Sequence, residues 1–170
     1  MLEEHAKVVQ FVSLAGSVTG RKKLQKMVYI AKKMKFPFNE KYQFHIYGPY
    51  SEELTLRVEE LCTMGFLTEE MEDKGSYVQY TYQVTDKGTN FSNHMCEEQQ
   101  HLNEVVEVLN SKSARFLELV STLLFFDELP KEERIQKVHV VKGKLKFTET
   151  EMNEAFSLIE ALEEIKLNAN

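Results

Sequence analysis

Gly16 and Gly20 stand just ahead of Lys22, and these are the residue types of a phosphate-cradling loop, in which glycines let backbone N–H groups approach a phosphate and a lysine neutralises it. The spacing defeats that chemistry. Such a loop needs four residues between its glycines, a lysine directly after the second and then a hydroxyl for a metal, all following a strand. Here three residues intervene, Arg21 follows Gly20, Lys23 and Leu24 follow Lys22, and the residues before Gly16 read as a helix. His94, Cys96, Glu98 and His101 are metal-ligand types; His94 and His101 are seven apart on one helix face, and Glu98 with His101 makes one Glu-x-x-His pair. A di-metal bundle site needs two such pairs and two further carboxylates, and Cys96 lies off the face, so these residues read as a solvated polar surface. Serine, histidine and aspartate occur without a nucleophile elbow, and Cys62 beside Leu61 reads as a small buried hydrophobe. The residues therefore predict no catalytic centre, no metal, no cofactor and no enzymatic activity.

Charge placement is more informative. Lys22, Lys26, Tyr29 and Lys33 are spaced by four, three and four residues, which puts three cations and an aromatic on one helix face opposite the Leu24 and Met27 stripe. That face is suited to phosphates or to an acidic protein surface, and equally to solvent. A following helix presents Glu52, Leu56, Glu59 and Glu60 outward, with Arg57 its only cation. Glu69, Glu70, Glu72 and Asp73 then surround Lys74.

The elements that carry these residues follow from periodicity and stop signals. Leu2, Ala6, Val9, Phe11 and Val12 predict a first helix ending near Ala15 with Gly16 as its stop. A short connector, Gly16 to Gly20, leads to a second helix on Leu24, Met27, Val28, Ala31 and Met34, ending before Pro37. Phe44 and Ile46 alternate with polar neighbours as a short strand broken by Gly48 and Pro49. Ser51 caps a third helix, with Glu52 and Glu53 in its first turn, Leu54, Val58 and Leu61 facing inward, and Gly65 at its end. Phe66 to Met71 and Val78 to Val84, joined by a polar turn, predict a hairpin, and Thr85 caps the next helix. Three helices with a strand between the second and third and a hairpin after the third is the element order of a winged helix, the hairpin being the wing. Beyond Phe91 only helices are expected: one long helix from His94 to Leu109, a helix from Arg115 to Phe126 buried on several sides, a short one opened by Pro130 and closed by Gly143, and a last one with a Thr148 and Glu151 capping box. The predicted fold is mainly α with a small β-hairpin wing (α+β): a winged-helix-like core over 1–92, and a helical C-terminal region over 93–170 packed on it as one compact unit.

Lys23, Leu24, Gln25, Lys26, Tyr29 and Ala31, then Tyr47, Gly48 and Pro49, then Leu61 and Gly65 form a pattern that resembles the YwgA family of uncharacterised bacterial proteins. More distantly the block is similar to the Panacea domain, found in antitoxins and in an adaptor that delivers a toxin to a protease. The match spans about residues 20 to 67, and what it implies is a non-enzymatic module that grips other proteins. Tyr82, Gln83, Val84, Thr85 and Gly88 are similar to the close of the wing in many winged-helix regulators.

Bulk properties bound the function classes. Apolar residues at 42% and charged residues at 28% describe a globular chain. The apolar stretch Phe116 to Phe126 is about half a membrane span and contains Glu118, Ser121 and Thr122. Glu3 and Glu4 open the chain without a leader-like apolar run, and Cys62 and Cys96 lie far apart, which together point to the cytoplasm. The net charge of −6 conceals nine Lys/Arg against three Asp/Glu over residues 1–50, and three against thirteen over 51–110. Duplex DNA carries one charge per roughly 1.7 Å of axis, so the acidic third helix and wing oppose it. The expected function is a regulatory or adaptor-type module that binds another protein, with Lys22, Lys26, Tyr29, Lys33, Glu52, Leu56, Glu59 and Glu60 as contact residues. The alternative is a winged-helix transcriptional regulator that sets its basic second helix on DNA backbone. A homodimer is compatible with either.

Overall fold

Several helices of the chain start or stop at a residue whose local chemistry suits a helix end. In the computed structural model, which describes residues 2–168, α1 (Glu3–Ala15) begins with two glutamates at the positive end of its dipole. It stops at Gly16, whose φ of 80° is costly for any residue with a Cβ. Strand β1 (Ser17–Thr19) follows, then α2 (Arg21–Lys33), β2 (Gln43–His45), β3 (Gly48–Tyr50) and α3 (Glu52–Thr63). The Ser51 hydroxyl accepts the Leu54 N–H at 3.1 Å to cap α3. Next come β4 (Leu67–Asp73), β5 (Val78–Val84), and α4 (Asp86–Met95), which Thr85 caps by accepting the Gly88 N–H at 3.0 Å. Among the described residues four more α-helices follow, α5 (Leu102–Asn110), α6 (Ala114–Phe125), α7 (Lys131–Val141) and α8 (Glu149–Asn168), with a short 3-10 turn at Gly143–Leu145 before the last. The capping box of α8 closes as expected, with Thr148 N–H donating to Glu151 at 3.0 Å and Glu151 N–H to the Thr148 hydroxyl at 3.1 Å.

The fold is mainly α with a small antiparallel β part. Strands run in the order β1-β5-β4, with Val18 opposite Tyr82 and Leu67 opposite Val84. The expected connector between the first two helices is thus a strand. Three residues are too few to show alternation, and the partner that makes them a strand lies some sixty positions away. The lone strand expected around Phe44 is a second hairpin, β2–β3, in which Pro49 pairs with Phe44. A two-stranded ladder has free edges, so a proline that cannot donate is tolerated there.

The long helix expected from His94 to Leu109 is broken. Cys96 is extended and His101 takes φ 66°, so α4 and α5 change direction and both pack against α1, which one straight rod could not do. His94 and His101 consequently do not share a helix face. Helix α6 is the hub of the second half, packed on α2, α7, α8 and β3. Buried side chains from Val8 to Leu162 form one contiguous core, and among the described residues no helix is long and apolar enough to cross a membrane.

The joint between the sheet and α4 leaves no room for a side chain at Gly88. A Cβ on Gly88 would lie 2.1 Å from the Phe66 carbonyl oxygen, beside the Phe66–Phe91 ring stack at 4.2 Å. Gly88→Ala is therefore expected to cost roughly 1–3 kcal/mol by forcing β4 and α4 apart. Urea unfolding would read this as a lower midpoint at unchanged slope, and a midpoint equal to wild type would show that the joint relaxes freely.

Candidate functional site

The start of α2, the β2–β3 loop, α3 and the sheet enclose a cleft of about 480 Å³. Its floor is apolar because Leu24, Leu54 and Val58 turn the same inward faces that build the core, while Ile46 and Tyr47 form a wall from the hairpin tip. These wall residues are 82% and 51% exposed, a large apolar area to leave in water.

The polar groups of the cleft are mostly tied down. Gln25, buried on α2, receives the Ser51 N–H at 2.9 Å and donates to the Ser51 carbonyl and the Thr55 hydroxyl, both at 2.9 Å, which locks the start of α3 onto α2. Tyr50 and Thr55 share a hydrogen bond of 2.7 Å. On the opposite side Arg21 lies 3.7 Å above the Tyr80 ring, donates through Nε to the Tyr82 hydroxyl at 3.1 Å, and reaches Glu69 at 3.3 Å. Tyr82 donates to the same carboxylate at 2.6 Å; burial, then this bond to Glu69, pushes its pKa up, so the phenol stays protonated and keeps donating. Two charged groups of the lining are left over. Lys22 rests its ammonium 3.2 Å from the Tyr47 ring centre, and Glu59 has no ion-pair partner among the described residues.

The predicted contact residues divide sharply. Lys22 and Glu59 line the cleft, and Glu52 and Leu56 stand exposed on the neighbouring face of α3, Leu56 with 56% of its surface open. Glu60 turns instead toward His5 of α1, at 3.4 Å. Lys26 and Tyr29, expected on an outward face, are buried at 3% and 5% exposure. Spacing alone made that face look solvated, but α6 and β3 cover it. Tyr29 packs on Tyr42 at 4.8 Å, and Lys33 is bound to Asp127 at 2.8 Å. Arg57, the only cation of α3, points in to the buried carboxylate of Glu40.

Lys26 sits in an interior cluster with Glu118 and Lys142. Burial pushes its pKa down to about 8; the attraction of Glu118 opposes that shift, while Lys22 and Lys142 add to it. Lys142 is also buried and donates to the Ile46 carbonyl at 2.6 Å and to Glu118 at 3.4 Å, so the residue that follows α7 holds the hairpin wall of the cleft. Arg21, Glu69 and Tyr82 escape sequence reasoning because their contacts join positions forty-eight and sixty-one apart. Leu24, Gln25 and Tyr47 carried a signal, as part of the block that resembles a known family.

The remaining candidates serve local structure. Gly16 to Lys22 spends its backbone on the sheet, with Gly20 N–H bonded to the Tyr80 carbonyl at 2.7 Å. His94 Nδ1 lies 2.7 Å from the Asn90 carbonyl, and His101 Nδ1 lies 2.7 Å from Glu104. Cys62 is half-buried against the core, and burial pushes its thiol up.

No family model matches the chain. Comparison with known proteins extends the likeness over residues 20 to 67 to nearly the whole length: the chain is 54% identical over 165 residues to a Bacillus subtilis (strain 168) protein, Uncharacterized protein YwgA, covering 97% of this chain and 99% of that one. With that identity along both chains, and the same block at the wall and floor of the cleft, the chain belongs to the YwgA family.

Proposed function

We propose that this chain is a non-enzymatic regulatory or adaptor-type module, a winged-helix-like core with helices packed on it, that binds another protein at the cleft and the adjoining face of α3. One observation carries the reading: an apolar-floored cleft opens between the exposed wall of Ile46 and Tyr47 and an α3 surface where Leu56 stands among carboxylates. Apolar anchors ringed by polar groups are the anatomy of a protein contact. The hydroxyls of Tyr50, Thr55 and Tyr82 are engaged with Gln25, Glu69 and one another, so they brace the walls of the cleft, as a preformed binding surface requires. The resemblance of the α2–α3 block to the Panacea domain, with its antitoxins and adaptor, supports the same class.

The DNA-binding alternative relied on Lys22, Lys26 and Lys33, and of these Lys22 alone is exposed. The test compares wild type with a Glu52→Lys, Leu56→Lys double variant as baits in cell extract, with thermal melting as the folding control. A partner held by wild type and weakened about tenfold or more by the variant supports the reading, since tenfold is the loss of about 1.4 kcal/mol of contact. Identical recovery by both baits overturns the assignment of this surface. Duplex DNA bound at physiological salt and released by Lys22→Glu would put the DNA reading first.

A further inference from the structure

We propose that the cleft receives a basic segment of a partner protein carrying one bulky apolar side chain, an inference that rests on the protein-binding reading. The cavity, about 480 Å³, lies within the range of roughly 300–1,000 Å³ that encloses a drug-sized group, and its floor of Leu24, Leu54 and Val58 offers nothing for a polar side chain to bond. An apolar side chain gains by entering; a charged one loses its water without compensation.

The charges around the mouth select the rest of the segment. Arg21 is cancelled by Glu69, and Lys22 lies against Tyr47. Glu59 in the lining and Glu52, seven residues before it on α3 and so on the same exposed face, have no ion-pair partner among the described residues. Two free carboxylates on α3, against Lys22 whose ammonium is already engaged on the Tyr47 ring, repel an acidic segment and attract a basic one. They also disfavour a second copy of this chain, which would bring the same carboxylates to the contact. The anchor needs no binding-induced opening, because Gln25, Ser51 and Thr55 already fix α2 and α3 at the spacing that forms the floor.

The chain contains no tryptophan, so a tryptophan supplied by a peptide reports its own burial without background. The probes are the peptides Gly-Lys-Trp-Lys-Gly and Gly-Glu-Trp-Glu-Gly, titrated with the full chain while peptide emission is followed. The basic peptide is expected to shift its emission to the blue in a saturable way and to bind at least about tenfold more tightly than the acidic one. Glu59→Lys, an exposed position whose change leaves the melting temperature unaltered, is expected to erase that preference, and Tyr47→Ala to weaken both peptides. Equal binding of the two peptides, or tighter binding of the acidic one, overturns the charge selection while leaving the cleft as a protein contact. A blue shift indifferent to both substitutions overturns the location. If the basic peptide gives no shift, the inference fails by itself, because the bait comparison tests protein binding independently. A change of oligomeric state in Glu59→Lys, seen by gel filtration, would replace the basic partner with a second copy of the chain.

Discussion

Arg57→Ala is expected to lower the unfolding free energy by about 3–5 kcal/mol, the largest loss of any single side chain at the surface of α3. Glu40 is entirely buried, its carboxylate is paired with Arg57, and its Oε1 has no hydrogen-bond partner. Lys32 does not substitute for the arginine, since its ammonium donates to the main-chain carbonyl of Glu40 and not to the carboxylate. Truncating Arg57 therefore leaves a dry, unpaired charge, which costs far more than the contact it removes. The loop joining α2 to β2 would loosen at the same time, because Arg57 also reaches Glu53 at 3.8 Å and Glu53 accepts the Lys41 N–H at 2.8 Å. Urea unfolding measures the loss, and the decisive comparison is the double replacement of Arg57 and Glu40 by methionine. If the stranded carboxylate is the cause, the double variant recovers to within about 1 kcal/mol of wild type. A double variant as unstable as the single one would mean that packing, not charge, holds this corner.

Lys26→Met is expected to act in the opposite direction, stabilising the protein at pH 7 by about 2–3 kcal/mol. Lys26 is almost fully buried, and its pKa falls from an ordinary 10.5 to about 8, chiefly through burial. Below pH 8 both the folded and the unfolded chain hold the proton, and the folded state bears the whole cost of the buried charge. Between about 8 and 10.5 the unfolded chain is protonated and the folded one is not, so stability rises with pH through that window and levels off above it. A shift of that size corresponds to about 3 kcal/mol across the window. Methionine fills the lysine's path without a charge, and Glu118 keeps Lys142 as its partner at 3.4 Å. The expected result is a wild-type stability that climbs between pH 8 and 10.5 relative to Lys26→Met, the two converging at the alkaline end. Parallel profiles, or a less stable variant at pH 7, would show that the ammonium finds compensation within the interior cluster.

These two positions also mark where the residue pattern stops being informative. Helices α1, α2, α3, α6 and α8 and the β4–β5 hairpin were legible because each is written in local terms: apolar spacing near 3.6 or 2, a capping hydroxyl at Ser51, Thr85 or Thr148, and a glycine stop at Gly16. Strand β1 and the break at residues 96–101 were not, since each depends on what lies opposite it. Charge was the least legible property. Lysine and glutamate ordinarily mark a wet surface, yet Lys26, Glu40 and Lys142 are all inside.

By itself the sequence determined the mainly α architecture, the caps at Ser51, Thr85 and Thr148, the acidic character of α3 and β4, and the family, because composition, periodicity and capping act over a few residues and survive without a partner. The tertiary structure alone decided that Lys26 and Tyr29 of the basic row on α2 are interior and that Arg57 faces inward. It also decided that Arg21, Glu69, Tyr82 and the hairpin tip converge with Glu59 on one cleft. The physical reason is that a helix face is solvent or core only once another element is laid on it: α6 and β3 cover the face that carries Lys26 and Tyr29, while among the described residues the face that carries Leu56 is left open.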